Sequence, residues 1–128
     1  MSSNPGRKDF LTHQGATFSK VLQYGTKVDP NDPDEALAPI DVTGYDFRMQ
    51  VRDGYGASAT LIFDLSVSGG EITIVDAVNG IIQLKIEDTV TEAQSAGRYK
   101  YDLEAIDPSG DVDPWIYGCF DLGPEVTV

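Results

Sequence analysis

The chain has 128 residues, 41% of them hydrophobic and 23% charged, with a formal net charge of −12 and one cysteine. That length gives one domain, large enough to bury a core without a metal or disulfide, and a single cysteine excludes an internal disulfide. The acidity argues against a nucleic-acid partner, and no apolar run approaches the roughly 20 residues a membrane helix needs.

The charge is unevenly spread. Residues 1–28 hold Arg7, Lys8, Lys20 and Lys27 against Asp9 alone. Residues 101–128 hold seven acids and neither Lys nor Arg. A solvated acidic surface accounts for this; head-to-tail attraction between copies is the sharper reading. The polar N-terminus lacks a signal-peptide apolar region, and with the cysteine usage this leads us to expect a reducing cytoplasm, a profile that a virion component assembled in a host cell shares.

In chain order, residues 1–9 are expected to form a flexible arm and residues 10–128 one domain. Phe10 to Thr12 reads as a short edge strand, Gln14-Gly15 as a turn, and Ala16 to Tyr24 as a strand whose apolar face Lys20 interrupts. Residues 28–39 hold Asp29-Pro-Asn-Asp-Pro-Asp-Glu35 and three prolines, and read as a loop. Tyr45, Phe47, Met49 and Val51 alternate with polar residues, as in a strand buried on one side. Leu61, Phe63 and Leu65 give the next inward set, followed by a Ser68-Gly-Gly70 turn and a strand from Glu71 to Val75. Asn79-Gly80 is the strongest hairpin signal, and Ile82, Leu84 and Ile86 share the following face.

Thr89 and Glu92 have the spacing of a capping box, so a short helical turn is expected near 89–96, stopped by Gly97. The chain closes on a hairpin. Its first arm, Gly97 to Ile106, points Tyr99, Tyr101, Leu103 and Ala105 one way; its second runs from Trp115 beyond the Asp107-Pro-Ser-Gly110 turn. Seven or eight antiparallel strands with turns at short intervals predict an all-β sandwich, Ig-like in architecture only because the Cys–Trp–Cys core of antibody domains is absent. A small barrel is the other candidate.

Little in the chain suggests catalysis. His13 is the only histidine, and Cys119 lies within a strand pattern that buries free cysteines. No phosphate loop, zinc cluster or nucleophile elbow is present. Calcium could use Asp29 to Glu35, or Asp107, Asp111 and Asp113, but neither has an EF-hand's spacing and both read better as turns. We therefore expect no enzyme activity, no cofactor and no metal. If Ile116, Gly118, Phe120 and Leu122 face inward, Trp115 and Tyr117 face out, where aromatics serve as interface anchors; Trp115 covering the sandwich end is the alternative. Candidate interface residues are Arg7, Lys8 and Phe10 in the arm and Trp115 and Tyr117 near the C-terminus, with the 29–39 loop a third contact.

Several ordered segments carry a resemblance: Gln14-Gly-Ala-Thr-Phe18, Ile40-Asp-Val-Thr-Gly-Tyr45 into Arg48-Met-Gln-Val-Arg52, Gly80-Ile-Ile-Gln-Leu84, Gly97-Arg-Tyr-Lys-Tyr-Asp-Leu-Glu104, Ser109-Gly110, Tyr117-Gly118 and Pro124-Glu-Val-Thr127. Together they resemble small bacteriophage structural proteins with an Ig-like, baseplate-upper-protein-like β-sandwich, over about residues 10–128. Lys20 and the Pro-rich 29–39 insertion depart from that pattern. The resemblance implies a non-enzymatic virion part in collar, baseplate, fibre attachment or capsid decoration, contacting other virion proteins and copies of itself. A carbohydrate- or receptor-binding module, with Trp115, Tyr117 and Tyr55 as stacking faces, is the alternative.

Overall fold

A computed structural model describes residues 6–26, 38–56 and 58–125. The strands are β1 (Gly6–Arg7), β2 (Phe10–His13), β3 (Phe18–Gln23), β4 (Gly25–Thr26), β5 (Ala38–Pro39), β6 (Asp46–Arg52), β7 (Leu61–Ser66), β8 (Ile72–Asp76) and β9 (Ile81–Ile86). A five-residue helix α1 (Asp88–Glu92) follows, then β10 (Gly97–Ile106) and β11 (Val112–Gly123). A six-stranded sheet runs β1-β11-β10-β6-β7, with β2 also on β11; a three-stranded sheet runs β3-β9-β8. The fold is an all-β sandwich. Its core interleaves Phe47, Met49, Leu65, Leu103 and Phe120 of the larger sheet with Phe18, Ile72, Ile82 and Leu84 of the smaller. Helix α1 carries the chain from one sheet to the other.

The alternating segments behave as their period requires. Phe47, Met49 and Val51 are buried on one face of β6, and Tyr99, Tyr101, Leu103 and Ala105 on one face of β10. The β8–β9 hairpin turns at Asn79-Gly80, where Gly80 has φ +68°. A Cβ there would lie 2.6 Å from the carbonyl oxygens of both Ile40 and Tyr24, so the turn needs glycine for space as well as conformation.

Several expectations are corrected. The expected arm is in part built into the sheet as β1, and β1 and the expected edge strand β2 both lie parallel to β11, so the strands are not all antiparallel. The helix starts at Asp88, its N-cap is Glu87 without a side-chain bond, and no Thr89–Glu92 capping box forms. Thr91 instead anchors the helix, its fully buried hydroxyl donating to the Ala16 and Asp88 carbonyls. Gly97 opens β10 rather than stopping the helix, which ends on Ala93.

Three bulges break the pairing, one of them at Val75 in the β8–β9 hairpin; the other two reset the side-chain parity of residues read from the sequence. Where β6 meets β7, Val51 pairs with Phe63 but Arg52 with Leu61, leaving Ile62 extra. Ile62 packs on the core, and Leu61, expected inward, is 40% exposed. Where β10 meets β11, Leu103 pairs with Ile116 but Glu104 with Pro114, leaving Trp115 extra. Even-numbered residues face inward after this bulge and odd-numbered ones before it, because one extra residue inverts the period.

Trp115 therefore does not share an outward face with Tyr117. Its ring meets Tyr24 edge-on at 4.9 Å and lies 6.1 Å from Phe47, closing one end of the core. The Tyr24 hydroxyl donates to Asp113 Oδ2 at 2.5 Å, while Asp113 Oδ1 is buried without a partner. Burial, followed by the bond to Asp113, raises the Tyr24 pKa well above the ordinary phenol value. Burial also raises that of Tyr101.

We expect Trp115→Ala to cost about 2–4 kcal/mol in urea unfolding, as for removal of a large core ring. Tyr24→Phe should cost about 1–3 kcal/mol by stranding the Asp113 carboxylate. Because the folded state keeps both phenols protonated and the unfolded chain ionises them near pH 10, stability should be intact below that pH and fall above it. Alkaline unfolding of Tyr24→Phe with an undiminished pH slope would refute the Tyr24 share.

Candidate functional site

The outer face of the six-stranded sheet carries a groove of about 330 Å³ at the end where β6 finishes and β10 begins. The pairing register builds it. Arg52, Lys100 and Cys119 stand side by side across β6, β10 and β11; in the next row stand Gln50, Asp102, Tyr117 and Arg7. The turn after β6 adds Tyr55, which is 81% exposed. Three of the nine cations in a chain of net charge −12 thus line one groove, whose only acidic lining residue is Asp102.

Arg52 is held by Gln50 Oε1, at 3.1 Å from Nη2, and by the Ala59 carbonyl, at 2.8 Å from Nη1. Arg7 Nη2 and Lys100 Nζ each lie 3.5 Å from the Cys119 sulfur and cover it. Among the described residues, the ion pairs are Arg7–Asp9, Lys85–Glu87 and Arg98–Asp121. Arg52 and Lys100 therefore have no carboxylate partner there. Like charges directly across a strand pair are unfavourable, so this arrangement opposes folding and is not explained by it.

The arm completes the groove, and three contacts fix it. Tyr101 donates its hydroxyl to the Lys8 carbonyl. The Lys8 N–H donates to the Tyr117 carbonyl at 2.9 Å. Asp9 Oδ1 accepts the Cys119 N–H at 2.9 Å, doing with a side chain what a ladder carbonyl would do. That bond, and secondarily Arg7, hold the Asp9 carboxyl below its ordinary pKa; Asp9 in turn raises the Arg7 pKa. At Gly118 a side chain would collide with the Lys8 carbonyl and approach Asp9 Oδ1 to 2.6 Å, so glycine lets the arm lie close.

The five expected interface residues part company. Arg7 and Tyr117 meet in the groove, Tyr117 being 39% exposed. Lys8 is exposed, with its ammonium 6.0 Å from the Phe10 ring centre. Phe10 is not a surface anchor: it is 3% exposed and packs 5.1 Å from Tyr101 and 5.5 Å from Phe18. Trp115 is half-buried and packs against the end of the core, as above. The groove's Arg52 and Lys100 were not singled out by sequence, whereas Tyr55 was, as a stacking face of the alternative binding module. Arg52 and Lys100 occupy the polar positions of two well-patterned strands, but only the pairing register makes them neighbours.

The remaining candidates are accounted for by local bonding. Asp107 Oδ1 accepts the N–H groups of Ser109 and Asp111, shaping the turn, and Asp113 is bonded to Tyr24. Asp29 to Glu35 lies outside the described residues. His13 pairs with Gly123, four residues beyond Cys119, or about 13 Å along the strand, so thiol and imidazole form no dyad. Compared with known proteins, the chain matches no protein-family model and no curated sequence.

Because Asp9 is a carboxylate with a lowered pKa, its contribution to arm docking is present above pH 4 and is lost as pH falls through its folded value. We expect Asp9→Asn and Gly118→Val each to lift the arm, speeding thiol-reagent labelling of the buried Cys119 by at least about tenfold, with the core intact by circular dichroism. Labelling at wild-type rates in both variants would show that the arm does not depend on these contacts.

Proposed function

We propose that the chain is a non-enzymatic bacteriophage virion structural protein that docks as one of many copies on a larger particle. The observation that carries this reading is the open edge of the larger sheet. Strand β7 pairs only with β6, leaving its other edge free among the described residues. Beside it is a cleft of about 300 Å³ lined by Ile62, Phe63, Leu65, Ile86 and Val90 with the charged Asp64, Glu71, Lys85 and Glu87. A free edge beside apolar side chains is what an added strand from another chain uses: backbone bonds give affinity and pockets for alternate residues give selectivity. A rigid sandwich also suits a part that must hold its shape under repetition. The ordered phage-like segments support the same reading, and it applies equally to collar, baseplate, fibre-attachment and capsid positions.

A second reading is favoured by Tyr55 and Tyr117, whose rings flank polar and charged groups in the groove. Such a surface suits a carbohydrate or receptor, with Trp115 removed from the stacking set. Glycan-array binding that Tyr55→Ala abolishes would favour it.

For the leading reading, the protein is expected as a stoichiometric component of purified particles, found by mass spectrometry and placed by antibody labelling in electron micrographs. Proline substitution at Asp64, in the middle of β7, should reduce incorporation with the domain still folded. Absence of the chain from particles would overturn the reading.

A further inference from the structure

We infer that the basic groove is a carboxylate-binding site whose occupant is the acidic end of a second copy of this chain. The inference deepens the multi-copy reading above and rests on it.

The first observation is the groove's unbalanced charge. Lys100 and Arg52 are cross-strand partners, and Arg7 and Lys100 converge on one sulfur atom. Acids outnumber bases 21 to 9 in the chain, yet no described carboxylate is within 4.0 Å of Arg52 or Lys100. An incoming carboxylate would relieve the repulsion between them, and Arg52, already braced by Gln50 and Ala59, is ordered to receive it.

The second observation is where the acids lie. Asp107 lies seven positions beyond Lys100, just past the end of β10, about 23 Å along the strand direction. At that far end are Asp107, Asp111 and Asp113 of the hairpin turn, with Tyr24 and Tyr45. Among the described residues, the module thus has a cationic groove toward one end and an acid-rich turn at the other. Within one chain these cannot meet; between copies they meet head to tail. This contact is heterologous, so it builds rings or rows rather than a two-fold dimer.

Analytical ultracentrifugation of the full chain tests the site. The wild type should associate at low salt and dissociate toward monomer in 0.5 M NaCl. Arg52→Glu/Lys100→Glu should weaken self-association at least about tenfold, and so should Asp111→Lys. Mixing the two variants should restore association between them, which a merely structural effect would not do. Thermal melts confirm folding, and Arg52→Gln/Lys100→Gln serves as a neutral variant should charge reversal impair it. Association unchanged by groove reversal, or a mixture that stays monomeric, would overturn the inference. Saturable binding of inorganic phosphate by a wild type that remains monomeric would overturn it in favour of a small anion. Particle incorporation by a chain whose association ignores the groove would sink the inference and leave the virion reading standing.

Discussion

The structure depends on β11 being paired along both edges. On one side it forms the long antiparallel ladder with β10; on the other it receives β1 and β2 in parallel. This makes the closing strand internal to the sheet. It is why Ile116, Phe120 and Leu122 are buried so completely, and why Cys119, on the opposite face, is covered as well. It also explains the demand for glycine at 118, because the arm's backbone passes where a side chain would be. The parallel pairing joins the two ends of the chain, and the cost of closing so long a loop is offset by the burial of Phe10 among Phe18, Tyr101 and Phe120.

The same strand carries the bulge that shapes the far end of the core. Without it, Trp115 and Asp113 would lie on the outer face with Tyr117. The extra residue turns both inward, where Trp115 covers the Tyr24 and Phe47 rings and Asp113 accepts the Tyr24 hydroxyl. A partly buried carboxylate is tolerated there because it is bonded to a phenol that burial keeps protonated. The bulge has a local correlate in Pro114, which lacks the N–H that an unbroken ladder would use.

The regular strands were legible because period-2 burial is written into adjacent residues. Phe47, Met49 and Val51, or Tyr99, Tyr101 and Leu103, declare their face whatever they pair with. Trp115 stayed open between an outward face and the sandwich end because parity carried backwards from Ile116 crosses an invisible break, and the structure bears out the second; Leu61 was misread because Ile62 is extra in the same way. The strand at Phe10 was legible, but its parallel pairing was not, and the arm was misread because the two-residue β1 is too short for periodicity; the partners of both lie about 110 residues away in sequence. The helix shows the same limit: the Thr89–Glu92 spacing suggested a capping box, but the helix is held by the Thr91 hydroxyl, which donates to the Ala16 carbonyl between β2 and β3. Of the candidate site, Arg7 and Tyr117 were legible as surface residues. Arg52 and Lys100 were not, because their adjacency exists only once β6 and β10 are in register.

That last point bears on why the groove exists at all. A chain with 21 acids has ample means to neutralise a cation, and it does so at Arg98 with Asp121 and at Arg7 with Asp9. The row beside Arg52 and Lys100 could hold acids at Gln50 and Tyr117, where β6 and β11 present their outward positions. It holds an amide that braces Arg52 and an aromatic ring instead. The only carboxylate in the row, Asp102, is not within ion-pair distance of either cation. Folding alone gives no reason to keep two cations adjacent and unneutralised in so acidic a protein. The repulsion between them is a small cost to stability. It becomes an attraction once an anion from outside the chain enters the groove, and the chain's own acid-rich end has the charge to supply it.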